Sequence, residues 1–420
     1  MKRNWVMLFS LLASCGRTAT ERDVLDSPTA GSPAAQVDPR PPSPCSAPRV
    51  GMLARRVLGP AAVSDRLGER ERTIAVATDA TAHAFLWIDG NERLIFQREH
   101  LTSVVASAAR QPALVWNGIE YGAAFIDLAG ARFVTLDSRG MAQGSPLVLG
   151  PLSTYIDDVA LLWSGDSYLV FWTERANPRG RELRGQRLSA RGVALTPVRS
   201  IASAIQYGQM KLSVAAAAGE VAVAGNPSDE LNKHFLARVP IDLSSPGQVH
   251  RFLLGYSREM PFGSLVAASE SSGWTYFGFG GGKWPRPDLT RVVVSGDGGV
   301  TTSVVAPGPA FTVADVSALR CGQTEVIARI DDDLTGKGGC WMDGDPDCAF
   351  PRVAVALLQP DGTLGKVQFS AEGSTGVARS PLLVRRPGSS SVDLVWLSRP
   401  NADAGVELVI SEDIARCGCP

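Results

Sequence analysis

The sequence predicts an all-β fold, a β-propeller of seven four-stranded blades. Three observations carry that expectation. A twelve-residue pattern recurs 47 positions further on, short apolar runs bounded by turn residues fill the chain beyond residue 49, and helical periodicity is almost absent. Of 420 residues, 43 are Gly and 28 are Pro, so turns are frequent. Hydrophobic residues make up 45%, ample for a core.

The repeat is clearest in two segments. Leu114-Val115-Trp116-Asn117-Gly118-Ile119-Glu120-Tyr121-Gly122-Ala123-Ala124-Phe125 aligns without gaps with Leu161-Leu162-Trp163-Ser164-Gly165-Asp166-Ser167-Tyr168-Leu169-Val170-Phe171-Trp172. Each is a pair of apolar runs around a hairpin signal. A third run follows, Phe133–Leu136 or Gly185–Leu188, and ends at Asp137-Ser138-Arg139-Gly140 or Ser189-Ala190-Arg191-Gly192. A fourth run, Pro146–Leu149 in the first case, completes four strands in about 47–50 residues, the size of a propeller blade. Hairpin glycines at 118, 165, 219, 273, 322 and 388 mark six units, and a turn at Asp79-Ala80 marks an earlier one. Evenly spaced strands also suit a sandwich, but a sandwich does not account for an aligned 47-residue repeat.

The last unit, Leu382–Val384, Val392–Leu397 and Val406–Ile410, lacks an outer strand. The run Val50–Leu58 lies before the first unit without a partner. Placing that run in the last blade closes the ring.

The N-terminus is organised differently. Lys2 and Arg3 precede an apolar stretch from Trp5 to Leu12, too short to span a bilayer, so residues 1–14 read as an export signal. Leu12-Ala13-Ser14-Cys15 resembles the lipobox of bacterial lipoproteins. That resemblance implies cleavage before Cys15 and acylation of its sulfur, which would hold the chain on a bilayer. Gly16, where Asp would signal inner-membrane retention, directs the expectation to the outer membrane of the cell envelope. Residues 15–48 are rich in Pro, Ser and Ala and read as a disordered tether, leaving 49–420 as the propeller domain.

The blade repeats resemble those of uncharacterised secreted bacterial lipoproteins with degenerate propeller repeats. Ser295-Gly296-Asp297-Gly298-Gly299-Val300-Thr301-Thr302 is similar to the Asp-box of sialidase-type propellers, which implies a structural turn between third and fourth strands.

Excluding Cys15, six cysteines remain in an exported chain, enough for three disulfides. Cys340 and Cys348 share a loop and are expected to bond. The blade pattern puts Cys45, Cys321, Cys417 and Cys419 at one end of the ring, so Cys45 and Cys321 should each take one of Cys417 and Cys419.

Charge excludes some functions. With 41 basic and 42 acidic residues the formal net charge is −1, which fits no polybasic nucleic-acid binder. The four His form no metal-binding pattern. No nucleophile elbow, phosphate-binding loop or dinucleotide fingerprint occurs, so no catalytic residue and no required cofactor is expected. Asp343, Asp345 and Asp347 alternate as oxygen ligands of Ca²⁺ do, but Cys348 stands where Gly belongs, so a calcium loop and a solvated, disulfide-pinned loop both fit.

Connections between second and third strands lengthen along the chain, at 173–182, 225–234, 278–290 and 331–352. Long loops carry function more often than scaffold. They would bring Arg175, Arg179, Arg181, Lys233, Lys283, Trp284, Arg286 and Trp341 to one rim, suited to an anionic glycan, peptide or protein ligand. The expected role is a lipid-anchored binding or scaffolding module; the alternative is an envelope hydrolase or lyase of sialidase-like architecture.

Overall fold

The computed structural model describes residues 48–61, 72–151, 156–177, 180–205, 210–217, 219–227, 233–254, 263–267, 273–280, 288–307, 315–332, 351–370, 377–385, 389–400 and 404–417. These form seven antiparallel sheets in chain order. The first strands of the blades are Ile74–Thr78, Arg110–Trp116, Ile156–Trp163, Met210–Ala217, Ser264–Ala267, Val316–Cys321 and Val377–Arg385. Each touches the first strands on either side, and the seventh touches the first, so the ring closes. All seven expected inner hairpins fall between first and second strands.

One apolar cluster fills each of the seven interfaces between neighbouring blades. The sheets alternate in facing the two neighbours, as period-2 strands must, and both faces are buried. The repeated aromatic signature has a packing reason. Trp116 and Tyr121 lie 4.5 Å apart across the hairpin, and Trp163 and Tyr168 lie 4.8 Å apart. Each Tyr also reaches the third strand of the preceding blade, Tyr121 to Phe96 at 5.2 Å and Tyr168 to Phe133 at 5.0 Å. Gly122 leaves room for that reach, since a Cβ there would come within 2.4 Å of the Tyr168 ring.

First strands run from an upper end, where second-to-third connections lie, to a lower end bearing the first-to-second hairpins. The third-to-fourth turn shares the lower end. In blades two, three, five and six it is the same five-residue turn, with a fourth residue at positive φ: Gly140, Gly192, Gly298 and Gly362. The run 295–299 forms this turn in blade five.

The last blade is completed by the N-terminal residues, as the pattern predicts. Arg49–Val50 and Arg56–Ala61 both pair with Val406–Arg416. The predicted single outer run is thus two short strands. Asp413, at φ +53°, interrupts the partner strand between them and donates its backbone N–H to Asp393 Oδ1 at 2.7 Å. Cys321 and Cys417, both at the lower end, form a disulfide that joins blade six to blade seven. Cys15, Cys45, Cys340, Cys348 and Cys419 lie outside the described residues.

The long connections are shorter than the sequence suggests, because the strands continue into them. In blade three the second strand runs to Asn177 and the third begins at Gly180, with Arg175 opposite Arg181 and Glu174 opposite Glu182. Polar residues read as loop are held there by ion pairs, Arg184 bonding Glu174 across the strands at 2.7 Å and Glu182 on its own strand at 2.6 Å.

Candidate functional site at the channel mouth

The first strands of all seven blades line a central cavity of about 240 Å³. Its wall is mostly small and apolar. Polar side chains stitch one inner strand to the next, since adjacent first strands cannot share a backbone ladder. Ser213 Oγ accepts the Leu265 N–H at 2.9 Å, Ser264 Oγ that of Ala318 at 2.9 Å, and Ser317 Oγ that of Leu383 at 3.0 Å.

The upper mouth is built differently. The register slips at the head of the first strand in blades two, three and seven, at Arg110/Ala113, Ile156/Val159 and Arg379/Leu382. Two residues in these slips, Gln111 and Ser380, have φ of +52° and +49°. A bulge re-aims side chains that regular pleating would send into the blade interfaces. Non-glycine residues at positive φ are sparse and need support from their surroundings. Here the support is visible: Gln111 Oε1 accepts the Arg72 N–H at 2.7 Å, and Asp315 Oδ2 accepts the Ser380 N–H at 3.2 Å.

Arg72 spans the mouth. Its guanidinium donates to the Leu212 carbonyl at 2.6 Å in blade four and to the Val159 carbonyl at 3.3 Å in blade three, where it also meets Asp158 at 3.3 Å. Asp158, fully buried, accepts the Leu212 N–H at 2.7 Å. One arginine thus ties the head of blade one to three blades beyond it. Asp157, beside it, forms an ion pair with Arg181 at 2.6 Å. The contact is not aligned as a hydrogen bond, and no described group donates one to either Asp157 oxygen. Burial pushes its carboxyl up to about 7, against the pull of Arg181, with Asp158 adding repulsion and Arg110 and Lys211 opposing it. Among the described residues this arc holds four cations, Arg72, Arg110, Arg181 and Lys211, against the two carboxylates.

A second buried polar group lies between blades four and five, toward the same end. His234 Nδ1 and the Tyr276 hydroxyl are 3.3 Å apart, with Phe252 stacked on the imidazole. Burial lowers the His234 imidazole to about 3 and raises the Tyr276 phenol. Gly263, on the cavity wall, gives the Tyr276 ring its space, as a Cβ there would fall 2.0 Å from the hydroxyl.

Of the expected rim residues, Arg175 is exposed on blade three and Arg181 lies at the mouth. Lys233 begins the third strand of blade four, on the upper end. Arg179, Lys283, Trp284, Arg286 and Trp341 lie outside the described residues, as do the candidate metal ligands Asp343, Asp345 and Asp347. Sequence reasoning missed Arg72, Arg110, Asp157, Asp158, Lys211 and Asp315. One signal was present, since Ile156-Asp157-Asp158-Val159-Ala160-Leu161 sets two carboxylates at the head of an otherwise apolar inner strand.

Ring, channel and mouth define the class: this is a seven-bladed β-propeller with a polar, cation-rich channel mouth. No protein-family model matches the sequence, and no curated protein matches it. Solved structures do. The BP39L lectin from Burkholderia pseudomallei shares 10% identity, with 84% of this chain and 98% of that one covered, at a TM-score of 0.55. The polysaccharide lyase Uly1 shares 10%, covering 84% of this chain and 92% of that one, at 0.52. At these identities the likeness is one of fold.

Proposed function

We propose that the chain is an exported lipoprotein of the bacterial outer membrane, anchored through Cys15, whose propeller binds an anionic glycan at the upper end. The cation-rich arc at the mouth is the observation that carries this reading: three inner strands bulge there, and polar side chains gather at the head of a wall that is otherwise small and apolar. The rim expected from the upper connections, with Trp284 as a stacking anchor beside Lys283 and Arg286, would extend that surface. A lectin and a polysaccharide lyase among the structural neighbours are compatible with a glycan ligand, although a propeller transfers no function by itself.

One observation favours the alternative, an envelope hydrolase or lyase. Asp157 holds its proton near neutrality, as a general acid must. A single experiment separates the two readings. The full chain is applied to an array of neutral and anionic glycans, and each captured glycan is then incubated with the protein and analysed for chain cleavage. Capture of anionic glycans without shortened products supports the binding module, and cleavage supports the enzyme. Arg110→Gln and Trp284→Ala should each weaken capture by about tenfold or more. Absence of capture across the array would refute the glycan reading.

A further inference from the structure

The lower end of the ring is asymmetric in a way that the glycan site does not use. Third-to-fourth turns of blades two to six occupy equivalent positions around this end. Their third residues are Arg139, Arg191, Asp242, Asp297 and Asp361 in order, and their fifth are Met141, Val193, Ser244, Gly299 and Thr363. Cation and apolar side chain therefore coincide in blades two and three, where the one turn carboxylate, Asp137, accepts the Arg139 and Met141 N–H groups. The three following turns carry a carboxylate and no cation, with small or polar partners.

The two basic turns are neighbours. Gly140 abuts Phe96 and Ser103 of blade one, and Gly192 abuts Phe133 of blade two, so each turn folds over the preceding blade. Met141 is 56% exposed, Val193 64% and Ile119, on the adjoining hairpin of blade two, 83%. Nothing in the packing of the blades calls for exposed apolar side chains there. Glu120 lies near Arg191 but is partly buried, and burial raises its carboxyl against the pull of Arg191.

The chain itself enters the ring at this end, because Arg49 pairs with Arg416 where the third strand of blade seven finishes. From Cys15 to residue 48 is 33 residues; a Pro-rich tether of the kind the sequence predicts would extend at about 3.1 Å per residue, to about 100 Å. The chain thus meets the ring at this end, and the channel mouth opens on the other.

We infer that the lower end of blades two and three docks onto an anionic bilayer surface, with Met141, Val193 and Ile119 entering the interface and Arg139 and Arg191 meeting lipid phosphates. The inference rests on the anchoring through Cys15 proposed above. Exposed apolar side chains flanked by cations are what an interfacial surface requires, and the acidic turns of blades four to six sit further round the same end, so the contact is made by one side of it. Each basic side chain at an anionic surface contributes about fivefold in binding, so the pair contributes about twenty-fivefold.

The test uses the acylated full chain on vesicles of phosphatidylcholine alone and of phosphatidylcholine with 30% phosphatidylglycerol, read by flotation and by hydrogen exchange. Amides of 137–143 and 189–195 should exchange at least threefold more slowly on the anionic vesicles, with 295–299 and 359–363 unchanged. The double variant Arg139→Glu, Arg191→Glu should still float through its lipid and lose the protection. Flotation with equal exchange on both vesicles keeps the anchor and overturns the docking face, as does protection that survives the double variant. A chain that floats with neither vesicle overturns both.

Discussion

Replacing Asp157 with Asn tests the electrostatics of the mouth, because the expected effect has a definite sign and pH window. In the folded chain burial raises this carboxyl from 3.8 to about 7, so the native state binds its proton more tightly than the unfolded chain. Its contribution to stability is therefore fully present below pH 4 and is lost as pH rises toward 7. A shift of about three pK units corresponds to about 4 kcal/mol at most. Asn keeps the shape and cannot ionise. Urea denaturation of variant and wild type at pH 3.5, 6 and 8 should give nearly equal stabilities at the first value. The variant should lead by about 3–4 kcal/mol at the last. The comparison must be a difference, since His234 works in the opposite direction. Its imidazole is lowered from 6.5 to about 3, so it withdraws stability as pH falls through that interval. In the wild type these two slopes oppose each other between pH 4 and 6.5, and in the variant the opposing Asp157 slope is removed. A difference that does not change with pH, or a variant less stable than wild type at pH 8, would refute the reasoning and mark Asp157–Arg181 as a stabilising ion pair.

Three further outcomes concern the ring closure and the anchor. The Cys321–Cys417 disulfide spans 96 residues of sequence, so Cys321→Ser should cost about 4–5 kcal/mol under oxidising conditions and nothing in excess reductant; with Cys417 occupied, non-reducing peptide mapping should join Cys45 to Cys419, and a Cys45–Cys340 link would break the closure argument. Cys15→Ala should abolish acylation and release the chain from membranes, so a variant that stays in the membrane fraction after a salt wash would show the lipoprotein reading to be wrong.

The blades were legible because the signals that make them are local. A turn glycine, a Trp and Tyr five apart and an apolar run of six residues each report on neighbours in sequence, and antiparallel blades need little else. The closing strand was legible by elimination, as Val50–Leu58 had no partner and the last unit lacked one. The mouth was not legible to the same degree. Gln111, Asp157 and Ser380 sit where the register slips at the heads of their strands, and a one-residue slip reverses which face a side chain occupies. Read at regular period, Asp158 belongs in a blade interface and Arg72 in a linker. Their roles depend on Leu212, some 54 and 140 residues away.

That dependence explains why the polar residues concentrate at one end of the channel. An inner strand in mid-channel has its spare N–H groups met by a neighbouring serine, as at Ser213, Ser264 and Ser317. A short hydroxyl suffices because adjacent first strands lie close along the wall. At the head of the ring the strands have bulged, and longer groups make the crossing: Asp158 to Leu212, Asp315 to Ser380, Gln111 to Arg72, and Arg72 itself to blades three and four. A buried polar group is costly unless it is bonded, and Arg72, Gln111, Asp158 and Asp315 find partners on other blades. If the mouth binds a ligand as proposed, the arginine that holds the ring shut, Arg72, is also among the groups such a ligand would meet. Binding to Arg72 or Arg181 would then act on the contacts between blades one, three and four, and occupancy of the site should stiffen that arc before any other part of the ring.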